Sequence, residues 1–139
     1  MKAFKIYFLP LLVSSLCTTL AQAQDVRADR VRWNASGFTD VIHNTPVANA
    51  PCQFLSTSNQ IDWIQDDGDY VHHFTITSAT GNWTDMTQPG SITFSVSDET
   101  LNGIIVVQRD ANGITIDMTL AGGTDPIHLL YQISSIEKL

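Results

Sequence analysis

Cysteine is almost missing from this chain. Cys17 and Cys52 are the two present, and only Cys52 lies beyond residue 23. No disulfide can therefore form inside a domain that starts there, even in an oxidising compartment. Positive charge is also scarce. Beyond residue 23 the cations are Arg27, Arg30, Arg32, Arg109 and Lys138, against all fourteen Asp and Glu, a formal charge of −9. Phosphate backbones and anionic lipid repel such a chain, which argues against nucleic-acid binding and electrostatic membrane docking. Glutamate occurs only at Glu99 and Glu137, so paired carboxylates for glycoside cleavage find no support. No Gly-x-Ser-x-Gly elbow is present either. Sustained helical periodicity is lacking throughout, which excludes an amphipathic helical bundle.

What is present begins with a tripartite leader. Lys2 and Lys5 form a positive start, residues 6–16 are mostly apolar with Pro10 interrupting, and Ala21-Gln22-Ala23 places small residues at a cleavage site. The reading is a bacterial-type signal peptide over 1–23 with cleavage before Gln24. A single secreted or periplasmic domain, 24–139, would follow, with no membrane insertion after signal removal. Leu16 beside Cys17 is wrong for a lipobox, so no lipid anchor is expected. Asn34-Ala-Ser36 and Asn82-Trp-Thr84 are glycosylation sequons that matter only in a eukaryotic host. An apolar content of 43% is enough for a packed core.

The domain reads as all-β. Ile92, Phe94 and Val96 alternate with polar residues, as do Ile114, Ile116, Met118 and Leu120, and then Ile127, Leu129, Tyr131 and Ile133. Residues 104–109 form a further strand, apolar on both faces for four residues. Short turns make these an antiparallel four-stranded meander. The turn at 110–113 is expected to span three residues, 111–113. That places Ile104, Val106 and Gln108 inside and Arg109 outside, because burying an unpaired Arg costs more than burying Gln.

Residues 61–65 and 70–77 flank Asp66-Asp67-Gly68-Asp69, and Asp-Gly is the preferred centre of a type I′ hairpin. Counting outward, Gln65 faces Tyr70, Trp63 faces His72 and Ile61 faces Phe74 on one sheet face. Asp62 faces His73 on the other. The N-terminal third gives strands near Val31–Trp33 and over 52–55, another around 38–42, and a loop over 44–51 with two prolines.

Chemistry-bearing clusters are sparse. The acidic turn 66–69 lacks the staggered spacing and bidentate Glu of an EF-hand and reads as a solvated hairpin tip. His72 and His73 are adjacent on a strand and point to opposite faces, so they cannot share a metal. No cofactor or metal is expected. Cys52 reads as a buried thiol acting as a small hydrophobe. Aromatics are the better lead. Trp33, Trp63 and Trp83 are many for one small domain, and such side chains fill cores or line ligand sites. Trp63, Tyr70, His72 and Trp83 are the candidate ligand-binding residues, with His72 as a polar handle among aromatics.

Gly81-Asn82-Trp83 resembles the Gly-x-Trp that opens the first strand of lipocalins. About four strands follow it here, whereas that family has seven more, so the likeness extends to shape alone. The expectation is an antiparallel meander of about eight strands closed into a small up-and-down barrel, lipocalin-like in shape, with a β-sandwich as the alternative. Its function is read as non-enzymatic binding of a small apolar molecule, a glycan or a protein by a monomer. The alternatives are an exported inhibitor or envelope accessory protein with a filled core, and, third, a hydrolase. A void lined by Trp63, Tyr70 and His72 would favour a small ligand. A packed core with an exposed aromatic patch would favour a protein partner.

Overall fold

A computed structural model describes residues 25–139. The leader, its cleavage site and Cys17 lie outside the described residues. Nine strands follow in order: β1 (Val31–Asp40), β2 (Thr45–Val47), β3 (Cys52–Ser56), β4 (Gln60–Gln65), β5 (Tyr70–Gly81), β6 (Gly90–Ser97), β7 (Asn102–Asp110), β8 (Gly113–Ala121) and β9 (Ile127–Lys138). Every pairing is antiparallel, and β9 returns to pair with β1, from Val31↔Lys138 to Asp40↔Leu129. Eight strands thus close into a barrel, and β2 is an extra strand on the far end of β1. Closure removes the two open edges that a sandwich would keep.

β2 falls where the prolines predict a loop. It is three residues long, pairs only with β1 and carries Pro46, and an edge strand is where proline's missing N–H costs no ladder bond.

Period-two alternation sets the interior. Ile92, Phe94 and Val96 from β6 and Ile114, Ile116, Met118 and Leu120 from β8 are all buried. They meet Trp33, Phe54, Trp63, Phe74 and Tyr131, and together these side chains fill the barrel. Phe54 meets Tyr131 edge-on with ring centroids 5.0 Å apart. The indole N–H of Trp33 donates to Ser56 Oγ at 2.9 Å, which satisfies the one polar group a core Trp brings.

One end of the barrel is sealed. Residues 82–89 connect β5 to β6 beneath it, and Trp83 from this loop stacks on Trp33 at 6.1 Å. Trp83 Nε1 lies 2.7 Å from the carbonyl oxygen of Asp85 and 3.0 Å from that of Gln88. Val26, ahead of β1, is buried there and donates its N–H to the Trp83 carbonyl at 3.1 Å.

The β7–β8 connection differs from expectation. Asp110 pairs with Gly113 and Arg109 with Ile114, so the turn has two residues, Ala111 and Asn112. Ile105 and Val107 are buried, Ile104 and Gln108 are exposed, and Arg109 takes the inward register. Apolar residues at all of 104–107 leave alternation without a preferred face. Arg109 tolerates this register because it sits at the strand end, at the sealed rim, half-buried rather than in the core.

Candidate functional site

The opposite rim collects the β4–β5 residues singled out from sequence. The β4–β5 hairpin has the expected register, with Gln65↔Tyr70, Trp63↔His72, Asp62↔His73 and Ile61↔Phe74. Its tip is broader than a two-residue turn. Asp66 is left-handed as well (φ 49°), and residues 66–69 form the connection, held by Asp69 N–H on the Asp66 carbonyl at 3.1 Å. Asp67 (φ 54°) and Gly68 (φ 102°) keep the positive φ that the Asp-Gly pair supplies. The strand register is unchanged because two extra unpaired residues, one on each side, leave the count symmetric.

Behind the hairpin, on the outer face, His73 Nδ1 lies 2.8 Å from Asp62 Oδ1. The inner face holds a ladder of rings: Trp63 against His72 at 5.3 Å and His72 against Phe74 at 6.0 Å, both stacked. Trp63 is buried, with 6% of its surface exposed, while the His72 side chain keeps 40% and Tyr70 64%. Inward register therefore means core for Trp63, rim for His72 and solvent for Tyr70. The reason is stagger. β5 runs past the end of β6, whose last pair is Thr75↔Ser97, so residues 70–74 stand above their neighbour.

Trp83 is at the sealed end, separated from the other three along the barrel. The structure therefore brings Trp63 and His72 together, leaves Tyr70 beside them in solvent, and does not bring Trp83 to the same place.

Cys52 is buried near the β3 start, with Trp63 and Tyr131 as polar neighbours. Burial pushes its thiol up to about 11, against weaker opposing effects from Trp63 and Tyr131. Burial likewise raises the Tyr131 phenol. The Trp63 indole N–H is near enough to influence both groups, yet it has no acceptor in hydrogen-bond geometry. A protonated thiol beside a protonated phenol is a poor nucleophile.

Sequence reasoning did not single out Asp98. It follows β6, and its Oδ1 accepts the N–H groups of Thr100 and Leu101 at 2.7 and 2.6 Å. Its Oδ2 lies 3.7 Å from His72 Nδ1. Burial works to raise its pKa, but the two backbone donors, the Thr100 hydroxyl and the nearby His72 together hold it below the usual carboxylate value. The local signal was available: Asp98-Glu99-Thr100 has the Asp-x-Thr spacing of an Asx turn.

Concavities lie on the rim and outer surface. One, of about 260 Å³, is lined by Asn34, Ala35, Pro51, Cys52, Gln53, Ile64 and Asp67. Another, of about 320 Å³, is bounded by Val71, His72, His73, Asp98, Glu99 and Thr100. Neither includes Trp63, Tyr70 or Trp83. Among the described residues no group of three or more His, Cys, Asp or Glu is placed to hold a metal ion. No helix of the described residues is long and apolar enough to cross a membrane. The chain matches no protein-family model, no curated protein and no solved structure at a significant level.

Proposed function

We propose that this is an exported, non-enzymatic binding domain that engages a protein partner with its open rim rather than with its interior. The observation that carries this reading is the barrel's filling: Trp33, Phe54, Trp63, Phe74, Tyr131 and the aliphatic rows of β6 and β8 occupy the space a small ligand would need. Apolar side chains left outside the core support it, including Tyr70 and Val71 at the hairpin tip. Export rests on the leader read in residues 1–23.

A second reading, a small molecule or glycan held at the rim, draws support from Trp63. His72 stacks on its ring with centroids 5.3 Å apart and keeps 40% of its own side chain exposed, which offers a ligand a ring to lie against.

Native mass spectrometry of the protein purified from its own host separates the two. The proposal expects a protein-sized mass increment. A retained small-molecule increment that disappears in Trp63→Phe overturns it in favour of the second reading.

A further inference from the structure

The barrel is closed, yet one stretch of it still offers a free edge. Residues 70–74 of β5 pair with β4 on one side, while on the other side β6 pairing begins only at Thr75. Five residues of extended chain span about 17 Å, enough for a partner strand. The neighbouring loop does not close the gap: a concavity of about 320 Å³ lies between residues 71–73 and 98–100, with Asp98 Oδ2 3.7 Å from His72 Nδ1. Asp98 otherwise turns back on its own loop, accepting from Thr100 and Leu101 and donating its N–H to the Leu101 carbonyl at 2.8 Å.

Exposed edges are ordinarily blunted by Lys, Pro or a bulge. Here residues 70–74 read Tyr-Val-His-His-Phe, with none of these devices, and the β5 bulge comes lower, between Ile76 and Ser78. Val71, 39% exposed, and Tyr70 present apolar surface beside the edge.

Charge says what would lie there. Asp66, Asp67 and Asp69 crown one end of the edge, and Asp98 and Glu99 flank it across the groove. No Lys or Arg occurs between Arg32 and Arg109, so these elements carry no fixed positive charge against them. A second copy of the chain would bring the same acids against each other. A basic segment would instead be drawn in and paired.

We propose that the β5 edge over residues 70–74 adds an extended, Lys- or Arg-bearing strand of a partner protein, by backbone pairing in the groove between β5 and the Asp98 loop. This names the partner chemistry for the rim binding proposed above and rests on that reading.

Three fluorescein-labelled octapeptides test it on the purified protein: alternating Lys-Val, the same peptide with two Val replaced by Pro, and alternating Glu-Val. Fluorescence anisotropy is expected to show the Lys-Val peptide binding at least tenfold more tightly than either control. Amide hydrogen exchange followed by NMR is expected to show new protection within residues 70–74. Glu99→Lys and Asp69→Lys, both on exposed connections, are expected to weaken binding tenfold or more while leaving thermal unfolding in place. Equal binding of the Pro-containing peptide overturns strand addition, leaving charge alone. Protection elsewhere, such as along β1 and β2, or self-association through β5 in sedimentation, overturns the assigned site. A protein partner retained from the host together with no Lys-Val binding would defeat this inference and leave the rim reading standing. A retained small molecule lost in Trp63→Phe would defeat the protein-partner reading itself.

Discussion

Replacing Gly90 by Ala tests how the barrel is sealed. A Cβ at residue 90 would come within 2.2 Å of Trp83 Cδ1 and 2.5 Å of Cγ, distances no real contact tolerates. Trp83 cannot swing aside freely, because its indole N–H is held by the Asp85 and Gln88 carbonyls and its ring lies on Trp33. Gly90 has no positive φ, so the backbone itself would accept alanine. Elsewhere such a change stabilises a protein slightly by restricting the unfolded chain. Here overpacking should reverse the sign and cost about 2–3 kcal/mol. For a domain of this size that lowers Tm by roughly 8–12 °C. The mechanism predicts more than a loss. Trp83→Ala alone should cost about 3–5 kcal/mol, and on that background Gly90→Ala should cost about 0.5 kcal/mol or less, since the clashing ring is gone. Urea unfolding of the two single variants and the double variant gives the coupling. Strictly additive costs, or a Gly90→Ala protein as stable as the parent, would refute the idea that Trp83 is clamped beneath the barrel.

Two further outcomes follow from buried groups. Cys52→Ser should cost about 1–3 kcal/mol by burying an unpaired hydroxyl, with no loss of partner binding, as thermal unfolding and the retained partner mass would show. With the folded thiol near 11 against an ordinary 9.0, the native state holds its proton more tightly than the unfolded chain. That contribution is complete below pH 9 and is lost as pH rises towards 11, so alkylation of the native protein at pH 8 should be far slower than of the urea-unfolded one; equal rates would contradict the buried, protonated thiol. Arg109→Met should change stability by no more than about 1 kcal/mol, because the Arg109 Nε is buried without a partner and the guanidinium forms no ion pair among the described residues. A loss above about 2 kcal/mol in urea unfolding would reveal a contact that this geometry lacks.

The β4–β5 hairpin and the β7–β8 hairpin show what sequence can and cannot determine. In the first, Ile61, Trp63 and Phe74 oppose Asp62 and His73 across the sheet, so the apolar faces match in only one register, and that register is observed. In the second, Ile104, Ile105, Val106 and Val107 are apolar on both faces, and the choice fell to the cost of burying Arg109. That cost applies to a strand centre and is small at a strand end. The same effect misplaces Tyr70, whose inward register is real but whose position lies beyond the end of β6. The antiparallel meander was legible, because short turns dictate it, and a barrel of about eight strands was favoured over a sandwich; closure itself is decided by the β1–β9 pairing, and β2 was read as loop from its prolines. The stagger between neighbouring strands was not legible, because it depends on where each strand stops, and this decides which ring is core and which is rim. Trp83 was recognised as significant from Gly81-Asn82-Trp83, yet only the course of residues 82–89 reveals that it sits at the end away from Trp63.

The pairing of β1 with β9 also bears on how the molecule comes into being. Arg32 meets Glu137 at 2.8 Å across 105 positions of chain, and Leu139 N–H reaches the Arg30 carbonyl at 2.8 Å. Chains are made N-terminus first, so β1 exists long before its neighbour on that side does. The other ladders, hairpin by hairpin, can assemble locally as they emerge. The seam alone must wait for the last strand, with a large loop to close and Trp33 and Val31 without their β9 cover. Joining residues 139 and 25 by a short linker and opening the chain within 57–59 would turn that long-range seam into one more hairpin. The seam would move to β3–β4, whose register covers five pairs against eight for β1–β9, so fewer native contacts would wait for the last strand.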